Sequence, residues 1–136
     1  MENPVVRNIV AAVVGVLVAG LVVGVVEMAG HAAFPPPEGL DITDPADQAR
    51  IMLEIPLAAK LAVLLAWFLG ALAGAWTARK IGVDRWPSFV VIGLMIIGSL
   101  WTTQMFPHPW WMVAGALVLP IIALGIAAKL GAKPAN

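Results

Sequence analysis

Residues 9 to 26 read IVAAVVGVLVAGLVVGVV, a run with no charge, no proline and no other polar side chain. As a helix rising 1.5 Å per residue it covers about 27 Å, close to the roughly 30 Å of a bilayer's hydrocarbon core. The span extends on either side of this run, from about Val5 to Phe34. Such a helix has no polar face to turn toward water, so its surroundings are lipid or other apolar helices. The whole composition agrees: 61% of the 136 residues are hydrophobic and 12% charged, against about 45 to 50% apolar and about 25% charged in soluble domains. A water-soluble globule lacks the polar residues to cover itself with this composition. The chain is read as an all-α integral membrane protein.

Three more segments are long enough to span: about 55–78, interrupted only by Lys60, then about 87–106 and 110–130. The last two share one uncharged region, divided by Pro107, His108 and Pro109. Proline lacks the amide donor and disfavours helix in the residue before it, so that cluster is a turn. Pro120 is expected to kink the fourth span unless neighbouring groups satisfy the carbonyl it leaves free. The expected architecture is one four-helix transmembrane domain over residues 1–136. Small residues at Ala29, Gly30, Ala32 and Ala33 mimic a signal-peptide cleavage site. The apolar run before them exceeds the usual 7 to 15 or so residues, so an uncleaved first helix is expected.

Cations stay on the cytoplasmic side during insertion. An N-in/C-in topology puts Arg7, Arg79, Lys80, Arg85, Lys129 and Lys133 there, and leaves Arg50 and Lys60 toward the outside with Glu27, Glu38, Asp41, Asp44, Asp47 and Glu54. Trp86, Trp110 and Trp111 fit interfacial aromatic belts. In the outer loop, 35–54, Pro35 to Pro37 end the first span. Asp44 before Pro45 is an N-cap followed by a first-turn proline, with Asp47 in a capping-box-like position. A short amphipathic helix from about Pro45 to Ile55 is predicted to lie along the membrane surface, its apolar face formed by Ala49, Met52 and Leu53.

Membrane helices pack through small residues that let backbones approach. Gly20 and Gly24 mark such a face on the first span, and Gly70 and Gly74 with Ala71, Ala75 and Ala78 mark one on the second. Gly93, Gly98, Gly115 and Gly125 do not repeat the spacing, so no internal repeat is expected. At 100° per residue Glu27 and His31 share the Gly20–Gly24 stripe, and Lys60 shares that of Trp67, Ala71, Gly74 and Ala78. Counted from the outer helix ends, Glu27 is about 10 Å deep and Lys60 about 8 Å. The matching depths predict a Glu27–Lys60 ion pair or shared polar network. The competing structural reading has Lys60 snorkelling to the interface and Glu27 protonated or hydrated.

His31 follows Glu27 by one turn and His108 occupies the other outer turn, so Glu27, His31, Lys60, Gln104 and His108 form a candidate functional polar cluster. Glu27, His31 and His108 carry donor types that bind divalent metals, but Lys60 would repel the cation. Paired histidines are also haem ligands, for which a proline-flanked turn is a poor scaffold. The remaining reading is interfacial histidines that hydrogen-bond the loop or tune the Glu27 proton. No metal and no cofactor are expected. Ser88 and Ser99 have no base placed beside them, Asp84 and Arg85 lie in a loop without a phosphate-binding glycine pattern, and Thr102, Thr103 and Gln104 suit ordinary interhelical hydrogen bonds. No catalytic set emerges, so an enzyme is not expected.

Glu27, His31, Phe34 to Pro37, Gly39, Pro56 and the Gly70–Gly74 stripe together resemble a widespread set of small four-span bacterial membrane proteins whose members have no assigned function. The resemblance implies a bacterial inner membrane and the four-span layout, and it carries over no activity or site. The leading functional expectation is a non-enzymatic oligomeric or accessory membrane subunit, partnered by the bilayer and by its own copies or another membrane protein. A second is a small proton-coupled transporter or channel using Glu27. Size and span number are similar to those of small multidrug resistance transporters, which carry a glutamate in the first span. Here Glu27 sits near the outer end and Tyr is absent. A third is an outer-facing metal or cofactor site at His31 and His108.

Overall fold

The computed structural model describes residues 3–131, which form five helices in the order α1 (Pro4–Ala33), α2 (Pro45–Glu54), α3 (Leu57–Ile81), α4 (Trp86–Met105) and α5 (Trp110–Leu130). Four of them, α1, α3, α4 and α5, are long and apolar enough to cross a membrane. The chain is a helical bundle with the short helix α2 between its first two long helices. Lys133 lies outside the described residues.

Local chemistry sets the helix ends. Asn3 caps α1, its side-chain oxygen accepting from Val5 N at 2.9 Å, and Pro4 occupies the first turn where no donor is needed. Pro35 stops α1 one residue beyond its C-cap Phe34. Asp44 caps α2, accepting from Ala46 N at 3.0 Å. Asp47 does not complete a capping box with it: its carboxylate accepts instead from Asp41 N at 2.9 Å. Gly39 supplies the loop's positive φ of 80°, a region other residues rarely enter. Helix α5 runs unbroken through Pro120, which is buried on the same side as Ala116, Ala123 and Ala127.

Helix α3 is central and packs against α1, α4 and α5. Its buried stripe of Ala66, Trp67, Gly70, Ala71, Gly74, Ala75 and Ala78 is the small-residue face expected there. Ala71 and Ala75 meet Ala123, Ala127 and Ile92 in one core, and Ala78 meets Ala19 and Val91 in another. Side chains this small let backbones touch. A Cβ on Gly74 would lie 2.6 Å from the Gly15 carbonyl oxygen, and one on Gly15 would lie 2.8 Å from the Gly74 carbonyl oxygen.

Two expected faces are corrected. The contact face of α1 is Asn8, Ala11, Ala12, Gly15 and Ala19; Gly20 and Gly24 are exposed, with nothing within 4 Å of a Cβ at either. Both sets have helical spacing, and the one that meets α3 is the one that continues inward from Asn8. On α2 the buried residues are Ile51 and Met52, whereas Ala49 is exposed and Leu53 is 84% exposed. Ile51 and Met52 are covered by the protein, and Leu53 is left exposed.

Candidate functional site

The candidate cluster assembles only in part. Glu27 is half-buried on α1, and His31, one turn on, is exposed. Lys60 is half-buried near the start of α3, Gln104 is exposed near the end of α4, and His108 is half-buried in the α4–α5 turn. No hydrogen bond or ion pair joins these five residues. Among the described residues the ion pair within 4 Å is Arg50–Glu54, at 2.9 Å on the exposed side of α2. The expected Glu27–Lys60 pair is therefore not formed.

Packing geometry explains the separation. Gly15 meets Gly74 and Ala78, Gly70 meets Ala19 and Val23, and Gly30 meets Ala62. That antiparallel register places Lys60 level with Gly30 and His31, while Glu27 is level with Leu64, about 6 Å away along the axis. The direction is wrong as well. The contact line of α3 steps through Ala62, Gly70 and Gly74 and slants round the helix as it goes, because four residues overshoot a full turn by about 40°. At the level of Lys60 the side facing α1 is that of Ala62, and Lys60 lies about 160° round from it. A straight stripe drawn from Ala78 to Lys60 misses this drift.

His108 is tied to its own turn. Its Nδ1 is 2.9 Å from the Phe106 carbonyl oxygen, its backbone N donates to the same oxygen at 2.8 Å, and its ring is 6.1 Å from that of Trp67. Here the histidine closes the turn and packs α5's entry onto α3. Among the described residues no group of three or more His, Asp or Glu side chains is gathered to hold a metal, so Glu27, His31 and His108 do not converge. Ser99 Oγ donates to Met95 O at 2.8 Å and Thr103 Oγ1 to Leu100 O at 2.7 Å, both inside their own helix.

The densest polar contacts lie at the opposite end, around a residue the sequence reading passed over. Asn8 is 2% exposed. Its Oδ1 accepts from Val83 N at 2.8 Å and Asp84 N at 3.1 Å, and its Nδ2 donates to Asp84 Oδ2 at 2.7 Å. Beside it Arg7 Nε donates to Ile81 O at 2.6 Å, satisfying one of α3's terminal carbonyls. Next to this clamp, Arg79 Nε donates to Ser88 Oγ at 3.1 Å, and that hydroxyl donates to Arg85 O at 2.7 Å. The signal for the clamp was an amide at the edge of an otherwise apolar span, facing a short loop that carries an aspartate.

One more feature of α1 is open. Val13, Gly20, Gly24 and His31 are exposed on a single side, with Glu27 half-buried at its edge. A comparison with protein-family models, curated proteins and solved structures finds no match to this chain.

Proposed function

We propose that the chain is a non-enzymatic subunit of the bacterial inner membrane that works in an assembly, with its own copies or with another membrane protein. The observation that carries this reading is the uncovered α1 stripe of Gly20, Gly24, Glu27 and His31. Small residues four apart admit a second helix at close range. A carboxylate left toward lipid costs about 2.5 to 3.5 kcal/mol on insertion scales, which a hydrogen-bonding neighbour offsets. The proposed orientation has both termini cytoplasmic. Arg7, Arg79, Lys80, Arg85 and Lys129 lie at the end that carries the α3–α4 loop, and Glu38, Asp41, Asp44, Asp47 and Glu54 belong to the segment at the other.

The chain has no cysteine, so single-cysteine crosslinking in native membranes reads the face directly. Leu17→Cys, on the stripe, is expected to form a disulfide-linked dimer or to crosslink to a defined partner. Val25→Cys, exposed but about 140° round from Gly20, is expected to stay uncrosslinked. Equal yields from both positions, or none from Leu17→Cys with a lone monomer in mild detergent, would refute the reading. A second reading, proton-coupled transport, rests on Glu27 being half-buried in an apolar helix with no cation bonded to it among the described residues. It requires Glu27→Gln to abolish proton-coupled flux in liposomes while the fold is retained.

A further inference from the structure

The α3–α4 loop end also carries a cleft of about 530 Å³ lined by Arg79, Arg85, Lys129, Asp84, Val83 and Ala128. These residues come from the last turn of α3, the loop after it and the last turn of α5, so only the folded bundle brings them together. Three cations face one carboxylate, and that carboxylate already accepts a hydrogen bond from Asn8. Among the described residues none of the three cations is in an ion pair; the pair found there is at α2. Arg79 is held from two sides, by its Nε bond to Ser88 Oγ and by its guanidinium 5.9 Å above the Phe89 ring. Its terminal nitrogens have no hydrogen-bond partner among the described residues. The backbone of Gly131 closes against Arg79, where a Cβ at 131 would lie 2.9 Å from the arginine's own Cβ. A preset guanidinium with two further cations at the rim is an arrangement suited to a phosphate group.

We propose that this cleft binds phosphate, and that the phosphate it takes is the headgroup of an anionic phospholipid. Arginine pairs with phosphate oxygens through two parallel N–H bonds, and lysine adds a point charge. Val83 and Ala128 give the cleft an apolar wall, and exposed Trp86 and Phe89 stand beside it at the end of the spans, the depth at which headgroups lie and tryptophan is enriched. The site owes nothing to a glycine-rich phosphate loop. It is assembled across helix ends, and it is independent of the α1 stripe.

The test uses the full chain, purified, stripped of lipid and titrated in mixed micelles with phosphatidylglycerol or phosphatidylcholine, with retained lipid read by native mass spectrometry. Phosphatidylglycerol is expected to be retained about tenfold more than the zwitterionic lipid, the order expected from interfacial cations. Arg85→Gln and Lys129→Gln, both at exposed positions that leave the core intact, should each lower that preference about threefold. Lys80→Gln, at the same end but stacked 5.9 Å above the Trp76 ring, should leave it unchanged. Inorganic phosphate at constant ionic strength distinguishes the sources: no displacement of phosphatidylglycerol supports the lipid headgroup, and displacement supports a phosphate site filled from solution. Equal retention of the two lipids, or an equal loss from Lys80→Gln, would overturn the proposal.

Discussion

Asn8 directs three of its four side-chain hydrogen-bonding positions at one loop, in bonds that are all half-buried. Asn8→Ala leaves two backbone N–H groups and one carboxylate oxygen without their partner, at about 1 to 3 kcal/mol for an unsatisfied buried group. The expected loss is about 2 to 4 kcal/mol of stability, read as an earlier midpoint when the purified protein is unfolded by increasing SDS in a mild detergent. Asn8→Asp should not restore it, since a carboxylate cannot donate to Asp84. A loss under 0.5 kcal/mol or so would show that water replaces the clamp. At the other end, the Thr43 hydroxyl donates to Asp41 Oδ1 at 2.7 Å and the Thr43 backbone N at 2.8 Å. These bonds, the hydroxyl's first, hold the Asp41 carboxyl below its ordinary value. A carboxyl depressed in the folded state contributes stability above its unfolded pKa, and that contribution is lost as pH falls through the folded value. The turn before α2 should therefore keep its order through the ordinary aspartate range and lose it only in stronger acid. Thr43→Val removes the hydroxyl and should raise the midpoint of Asp41, followed by NMR; an unmoved midpoint would contradict the assigned cause.

Helix existence was legible because prolines stand at or next to most of the ends: Pro4, Pro35, Pro45, Pro56, Pro87, Pro107 and Pro109 bracket the apolar runs. Helix faces were legible only where one set of small residues had no rival. On α3 the Gly70–Gly74 stripe was the one available, and it is buried. On α1 two stripes with helical spacing compete, and in a helix that is apolar all round no polar side marks which of them faces out. The choice is made by register, and register is set by Asn8 gripping the α3–α4 loop and by Gly15 meeting Gly74, contacts that depend on residues about 60 to 75 positions away. The Glu27–Lys60 expectation failed for the same reason. Helical wheels drawn for separate helices contain neither their relative depth nor the slant of the contact line. The element-scale prediction follows from the close approach. Gly74→Ala puts a Cβ where the Gly15 carbonyl oxygen stands, so α1 and α3 must separate, at a cost of about 1 to 3 kcal/mol. Gly98→Ala, with nothing within 4 Å, should change stability by less than about 1 kcal/mol and toward the stable side. The same SDS titration compares them, and equal effects would mean that α1 and α3 yield without cost.

At the scale of the molecule, four long helices return the chain to the end from which it started: Asn8 lies against Asp84, and Gly131 against Arg79. That geometry fixes the two described ends on one side of the bundle but leaves open which side of a membrane it is; only the charge distribution speaks to that. Five described cations sit at the α3–α4 loop end, and the acidic loop, 35–54, lies at the other. Each cation held on the cytoplasmic face during insertion biases the orientation the same way, so the asymmetry predicts N-in/C-in. The absence of cysteine again makes the measurement simple. Glu38→Cys and Val83→Cys sit at exposed loop positions on opposite ends. In intact bacterial spheroplasts a membrane-impermeant maleimide should label Glu38→Cys at once and Val83→Cys only after permeabilisation. The reverse order would invert the topology. It would also put the phosphate-binding cleft on the outer leaflet, while its preference for phosphatidylglycerol in micelles stayed the same. A topology that is inverted when Arg79, Lys80 and Arg85 are all replaced by Gln would show that these cations, rather than the hydrophobic length of α1, set the orientation.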